Sequence, residues 1–129
     1  MRLNNIIVSI GSNIEQRDEE VSRALVWLRQ FMPSSLETSP YTTQAEAFDE
    51  NISVHSTYLN AVVRGVTPFS VEKLCAKFKA YERLRGRMPE HKEKGRVIID
   101  IDIVVFDNKI INQKEYDSPH FCQGLERLH

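Results

Sequence analysis

A buried strand interrupted by two aspartates constrains this chain more than any other feature. The stretch GRVIIDIDIVVFD (residues 95–107) predicts a strand over Val97–Phe106, because almost every side chain is apolar. Residues two apart on a strand share a face, so Asp100 and Asp102 project side by side, and the isoleucines next to them point the other way, toward helices. Two adjacent carboxylates raise each other's pKa, and a divalent cation removes that conflict. Since Mg²⁺ is commonly held by one or two carboxylates plus substrate phosphates, the pair suggests a nucleotide–metal site.

An alternative reading of the two aspartates is a solvated strand face. The apolar Ile98 and Val104 share that face and weaken this alternative. The preceding loop favours the metal site, because triphosphate needs cations and arginine can bind two phosphate oxygens at once. Glu90 and Glu93 dilute the loop's charge, so a solvated basic loop stays open. Its cations are Arg85, Arg87, His91, Lys92, Lys94 and Arg96.

The order of predicted elements is β-α-β-β-α-β, which indicates an α+β, ferredoxin-like sandwich with an antiparallel sheet and helices on one face. The predicted strands are residues 5–10, 36–43, 57–66 and 97–106, with Pro40 suggesting an edge or a bulge in the second. Apolar spacing predicts one helix with residues 18–20 in its first turn and another after Ser70, its expected N-cap. Residues 44–55 are predicted as a flexible loop. The tail from residue 107 to 129 is left unplaced apart from a short hairpin at 107–109.

Length and composition are those of one domain spanning residues 1–129. The formal net charge of −1 argues against nucleic acid or a membrane as the partner. No signal peptide is expected at the N-terminus. The two isolated cysteines, Cys75 and Cys122, fit a reducing cytoplasm, and Cys75 is expected to pack in the core. The oligomeric state is not predicted.

Six short segments resemble the 6-hydroxymethyl-7,8-dihydropterin pyrophosphokinase family, in an order and at spacings that fit the βαββαβ frame. They are IVSIGSN (7–13), SPYTT (39–43), TYLNAVV (57–63), ERLRGR (82–87), DIDIVVFD (100–107) and SPH (118–120). The resemblance implies transfer of pyrophosphate from ATP to the pterin hydroxymethyl group, giving AMP, in folate biosynthesis.

The resemblance also implies roles for matching residues. Asp100 and Asp102 would hold two Mg²⁺ ions that bridge the ATP phosphates. Asn60 would bind the pterin edge, and Gly11, Thr43 and Tyr58 would line its slot. On the ATP side, the resemblance implies contacts from Glu82, Arg87, Ile103 and His120, and Arg96 is the candidate to replace the family arginine that is absent at position 97. Of these, Arg87, Arg96 and His120 would be catalytic.

Three departures from the family pattern motivate an alternative function. Val97 stands where the family has an arginine, Lys94 stands where a tryptophan is common, and the chain stops at His129, before the family's usual C-terminal segment. Phe48 and Phe121 are candidates to cover the pterin instead. The alternative is a catalytically degenerate relative that binds pterin or nucleotide without efficient turnover.

An RNA-binding module is a third hypothesis, because RNA-recognition domains share the βαββαβ order. The first strand carries no aromatic residue for base stacking, and the fourth carries two acids that repel phosphate. Both observations, with the net charge, disfavour it.

Overall fold

The computed structural model describes residues 2–44, 57–86 and 97–128. These residues form an α+β fold in which helices pack on an open antiparallel sheet of six strands. The strands are β1 (Asn4–Ser12), β2 (Leu36–Glu37), β3 (Tyr41–Gln44), β4 (Thr57–Thr67), β5 (Asp100–Phe106) and β6 (Lys109–Ile110). The helices are α1 (Arg17–Leu28), α2 (Val71–Leu84), α3 (Gln113–Tyr116) and α4 (Pro119–Arg127), with a short 3₁₀ helix at Arg29–Phe31.

The strand order confirms the ferredoxin-like prediction. β1 lies between β4 and β5 and is antiparallel to both, while β2 and β3 pair with the outer side of β4. The first half of the βαββαβ unit therefore crosses from β1 through α1 to the far side of β4. The second half returns through α2 to β5.

The helix-covered face of the sheet, which α1 and α2 pack against, contains the main apolar core. Alternate residues of β1 (Ile6, Val8 and Ile10) are buried there, as the period of two predicts. Ser70 caps α2 by accepting from the backbone N–H of Lys73 at 3.2 Å, as expected. Cys75 packs at the edge of this core. The core also takes in Leu25, Leu28, Leu74, Phe78, Ile99, Ile101 and Ile103.

An ion pair between a buried glutamate and a partly exposed arginine joins α1 to the C-terminal end of α2. Glu20, in the first turn of α1, is buried and accepts from Arg85 at 2.6 and 3.1 Å. A buried carboxylate needs such a partner, because removing an unpaired charge from water is costly. This corrects the grouping of Arg85 with the phosphate-binding cations, since its guanidinium is bound to Glu20.

The second predicted strand is broken, at the edge where Pro40 suggested it. The backbone N–H of Thr38 donates to the carbonyl of Val62 at 3.0 Å, and Tyr41 pairs with Asn60. Two residues of the edge strand, Ser39 and Pro40, therefore stand opposite the single residue between Val62 and Asn60. This arrangement is a β-bulge, and it divides the edge into β2 and β3.

The strand predicted from residue 97 begins at Asp100, which is a correction. The backbone of Val97 is bound instead by the turn after β1. The Asn13 side chain accepts from the N–H of Val97 at 2.6 Å, and the N–H of Asn13 donates to the carbonyl of Val97 at 3.0 Å. The Ser12 hydroxyl donates to the same carbonyl oxygen at 3.4 Å. These bonds take the place of the strand–strand hydrogen bonds that the apolar pattern predicted for Val97.

The tail forms two helices that the sequence did not predict. The predicted hairpin is present, with Asp107 and Asn108 both at positive φ between β5 and β6. Beyond it, Phe121 and Leu128 pack with Val62 and Val104 on the other face of the sheet. The prediction that the helices lie on one face of the sheet is therefore correct only for α1 and α2, because α4 covers part of the second face. Within the described ranges, no helix is both long and apolar enough to cross a membrane.

Candidate functional site

Four strands contribute one residue each to a row across the second face of the sheet. Tyr41 pairs with Asn60, Asn60 with Gly11, and Gly11 with Asp100. Neighbouring strands lie about 4.8 Å apart, so the Asn60 and Asp100 backbones are about 10 Å apart with Gly11 between them. We call this surface the site face. It also carries Thr43, Tyr58 and Asp102, which are two residues along from members of the row.

Asn60 is held firmly at the pterin end predicted for it. Its side chain is buried, and its amide nitrogen donates to Oγ1 of Thr43 at 2.6 Å. A Cβ on Gly11 would lie 3.2 Å from Oδ1 of Asn60 and 4.0 Å from the Tyr58 ring. The absence of a side chain at Gly11 therefore leaves room beside the amide. The structure brings together all four residues predicted for the pterin slot.

Asp100 and Asp102 lie side by side at the other end of the row. Burial, together with the negative charges of Asp100 and Glu115, raises the pKa of Asp102 to about 8. Two carboxylates in a poorly solvated position favour a bound cation or a shared proton. The described residues contain no group of three or more His, Cys, Asp or Glu side chains that could hold a metal by themselves. Two carboxylates suit Mg²⁺ that takes its remaining ligands from water and phosphate.

His120 joins the site through the first turn of α4. Ser118 caps this helix, and Pro119 occupies its first position, a combination typical of helix starts. Nε2 of His120 forms a hydrogen bond with Oε1 of Glu115 and lies 3.3 Å from Oγ of Ser118. Ser9, the partner of Asp102 in the β1–β5 register, donates to the same oxygen of Glu115 at 3.2 Å.

Glu115 and Ser9 are residues that sequence reasoning missed. Ser9 shares strand parity with Gly11, which was an available signal. Glu115 lies in a four-residue helix with no buried residue, so no periodic pattern marked it. The Ser118–Pro119 start signal could have indicated α4 and hence a fixed place for His120.

Tyr41 and Gly124 fix α4 against the sheet. The Tyr41 hydroxyl donates to the carbonyl of His120 at 2.6 Å, and burial raises the pKa of Tyr41 to about 12. A Cβ on Gly124 would lie 2.2 Å from Val62 and 2.4 Å from the Tyr41 hydroxyl oxygen. Only glycine allows this close approach of helix to strand.

Two predicted ATP contacts lie on the helix side of β5. Glu82 is buried in α2 and accepts from the backbone N–H of Ile101 at 2.8 Å. The Ile103 side chain is buried in the main core. Their contacts with the nucleoside stay predictions.

Most of the other predicted site residues lie outside the residues that the structure describes, and one described residue cannot have the role predicted for it. Arg87 and Arg96, the remaining basic-loop cations, and Phe48 lie outside the described residues, as does nearly all of the predicted loop at 44–55. Gln44 itself belongs to β3. Phe121 is completely buried between α4 and the sheet, so the suggestion that it covers the pterin is wrong.

Comparisons with known proteins match the chain to one family. Residues 7–125 match the model of the family described as 7,8-dihydro-6-hydroxymethylpterin-pyrophosphokinase (HPPK). A 2-amino-4-hydroxy-6-hydroxymethyldihydropteridine pyrophosphokinase of Aquifex aeolicus is 27% identical over 115 residues, covering 89% of this chain and 69% of that protein. The protein of the same name from Haemophilus influenzae is 25% identical over 114 residues, covering 88% and 69%.

A plant relative matches the same region within a longer protein. The folate synthesis bifunctional protein of Arabidopsis thaliana is 24% identical over 110 residues, which cover 84% of this chain and 22% of that protein. Because the family model matches almost the whole sequence, the chain belongs to the HPPK family.

Proposed function

We propose that this protein transfers the pyrophosphate group of ATP to the hydroxymethyl group of 6-hydroxymethyl-7,8-dihydropterin, giving AMP, as a step of folate biosynthesis. The observation that carries the proposal is the row Asn60–Gly11–Asp100. It sets an amide, an open backbone position and a carboxylate on one face of three adjacent strands. Family membership supports the reaction class.

On the pterin side, Asn60 is the specificity group. In the described part of the chain, its only side-chain hydrogen bond is the one to Thr43. The second amide hydrogen and the carbonyl oxygen can therefore pair with the amide-like edge of a pterin ring. Tyr58 would pack against the ring, in the space that Gly11 leaves beside the amide.

On the phosphate side, Asp100 and Asp102 would hold Mg²⁺, with two ions expected. Bound Mg²⁺ supplies charge neutralisation of the phosphate oxygens. His120 would bind a phosphate oxygen from the α4 side of the site face. We propose Arg87 and Arg96 as further phosphate ligands, and Glu82 and Ile103 as contacts of the nucleoside.

The reaction needs no covalent intermediate on the protein. The pterin hydroxyl oxygen bonds to the β-phosphorus, and the bond from that phosphorus to the oxygen bridging it to the α-phosphorus breaks. The electron pair stays on AMP, and the hydroxyl proton is released. The contribution of this chain is to hold the two substrates in line, with Asn60 orienting one and the aspartate end of the row orienting the other.

We also propose that the protein works in the cytoplasm, with ATP and a dihydropterin as its partners. Cys75 and Cys122 are both free thiols, which fits a reducing compartment.

The test is AMP release from ATP and Mg²⁺, with and without the pterin. We expect pterin-dependent AMP, and a loss of about 100-fold or more in Asp100→Asn and Asp102→Asn, because each loses charge stabilisation of the transferring group. Asp107→Asn is the matched control, since it removes the same charge at the end of the same strand. The side chain of Asp107 binds Arg2 and the Asn5 backbone at the surface.

Two results would contradict the proposal. One is unchanged AMP release in both aspartate variants. The other is absence of AMP together with Mg²⁺-dependent nucleotide binding, which would favour the degenerate relative. The observation behind that alternative is Val97, whose backbone is fixed by Asn13 and which offers no cation.

A further inference from the structure

Glu115 has no task in the reaction proposed above, yet it lies at the centre of the phosphate end of the site. One of its oxygens, Oε1, accepts from Oγ of Ser9 and pairs with Nε2 of His120. The side chain is mostly buried. A carboxylate so placed next to a polyanion site needs an explanation, because it repels phosphate.

The contact between Glu115 and His120 is fixed from several sides. Asn112 caps α3 by accepting from the Glu115 N–H at 3.0 Å, and Ser118 donates to the Glu115 carbonyl at 2.6 Å. Tyr41 holds the carbonyl of His120 in the same way. The backbones on both sides of the pair are therefore held, and the pair is not a chance meeting of two surface side chains.

Glu115 also lies close to the aspartates without joining them. Its charge is one of those that raise the pKa of Asp102. Asp100, Asp102 and Glu115 nevertheless do not form a three-ligand metal group among the described residues. The groups that Glu115 touches are the Ser9 hydroxyl and His120, and of these only the imidazole can bind phosphate, so the role of Glu115 is directed at the imidazole.

We propose that Glu115 is a positioning residue that occupies Nε2 of His120 and so turns Nδ1 toward the nucleotide phosphates. The inference rests on the phosphate side of the proposed function. A carboxylate only accepts, so Nε2 carries the hydrogen that faces it. Phosphate oxygens also only accept, so the ring binds the nucleotide as the imidazolium, with the N–H of Nδ1 as the donor. Within the described ranges, Nδ1 of His120 has no hydrogen-bond partner.

The competing explanation is that Glu115 is a placeholder for a phosphate oxygen. In that case ATP would displace the carboxylate and bind Nε2 itself. The two explanations predict opposite behaviour of the two ring nitrogens, which makes them separable by experiment.

The first experiment follows both imidazole nitrogens of His120 by ¹⁵N NMR, assigned with His120→Gln. The probe is Mg²⁺ with α,β-methylene ATP, in which the bond that breaks is blocked. We expect the Nδ1 resonance to shift while the Nε2–H resonance bound to Glu115 persists. Loss of the Nε2–H resonance, or no shift of Nδ1, would overturn the inference.

The second experiment measures steady-state kinetics. Glu115→Ala should raise the KM for ATP about 10-fold and change the KM for the pterin much less. Glu115→Gln keeps an acceptor for Nε2–H and should recover most of the loss. Asp117→Asn, with the same charge change on an exposed residue two positions away, should match the wild type. A KM for ATP that is unchanged or lower in Glu115→Ala would overturn the inference.

These experiments separate the inference from the proposed function. If the wild type makes no AMP but Nδ1 responds to the nucleotide, the pyrophosphate transfer is wrong and the positioning role stands. If AMP forms but the nucleotide does not shift the Nδ1 resonance, the positioning role is wrong and the transfer stands.

Discussion

The two faces of the sheet bury their side chains in different ways. On the helix-covered face, β1 contributes Ile6, Val8 and Ile10, and nearly everything around them is apolar. On the site face, the same strand contributes Ser9 and Gly11, next to the buried Asn60. The first face needs only apolar area to be stable, whereas each polar group on the second needs a specific partner. Stability should therefore depend mainly on the helix-covered face and activity on the site face.

The largest expected effect is on the helix-covered face. Leu74→Ala should lower the free energy of unfolding by about 2–5 kcal/mol, because the side chain is fully buried and its removal leaves a cavity. Urea unfolding measures the change. Leu84→Ala is the matched control on the same helix, since Leu84 is 83% exposed and should cost little. A large change in the KM of the folded Leu74→Ala protein would break the division between the faces.

Asp102→Asn should have the next largest effect, and it should raise the free energy of unfolding. The pKa of Asp102 is about 8 in the folded protein and about 4 when unfolded, so the unfolded state releases its proton first. With EDTA present, stability should fall as pH rises from about 4 to 8. Asp102→Asn removes this loss and should be more stable than the wild type at pH 8, by on the order of a few kcal/mol, while losing activity.

Thermal unfolding at pH 4 and pH 8 measures this difference. The two proteins should converge at the lower pH, and Asp107→Asn should follow the wild type throughout. If the stability of Asp102→Asn and of the wild type depended on pH in the same way, Asp102 would not destabilise the folded protein at high pH.

Gly124→Ala should have a smaller effect, in a helix where alanine is normally favoured by about 1 kcal/mol. Here the new Cβ meets Val62 and the Tyr41 hydroxyl, so we expect destabilisation of about 1–3 kcal/mol and a raised KM for ATP through displaced His120. Gln123→Ala, on the exposed side of α4, is the control. If Gly124→Ala were more stable than the wild type, α4 would not be packed tightly against Val62 and Tyr41.

The sequence predicted the helix-covered face well, for a physical reason. The apolar periods of β1, α1, β4, α2 and β5 each arise from burial on one side, and such periods can be counted in a single chain. The broken edge was also indicated by Pro40. The start of β5 was missed because an apolar run cannot show that Asn13 binds the Val97 backbone.

The site face was predicted only in part. The residues that the resemblance supplied, such as Asn60 and Asp100, lie together, but Ser9 and Glu115 are 106 positions apart and nothing local links them. The Glu20–Arg85 pair, separated by 65 positions, was missed for the same reason. Partners of buried polar groups are set by tertiary packing, which a single sequence does not display.

The position of β5 has a consequence for how the protein behaves in a crowded solution. In the described part of the chain, β6 pairs only with Val105 and Phe106, and the Val104 carbonyl accepts from the N–H groups of Ile111 and Asn112, so Ile101–Ile103 face no paired strand on the outer side of β5. Open edges recruit strands from other molecules, and charged residues on them are a common protection. Replacing both aspartates by valine would create an uninterrupted apolar edge. We expect this double variant to aggregate more readily than the wild type.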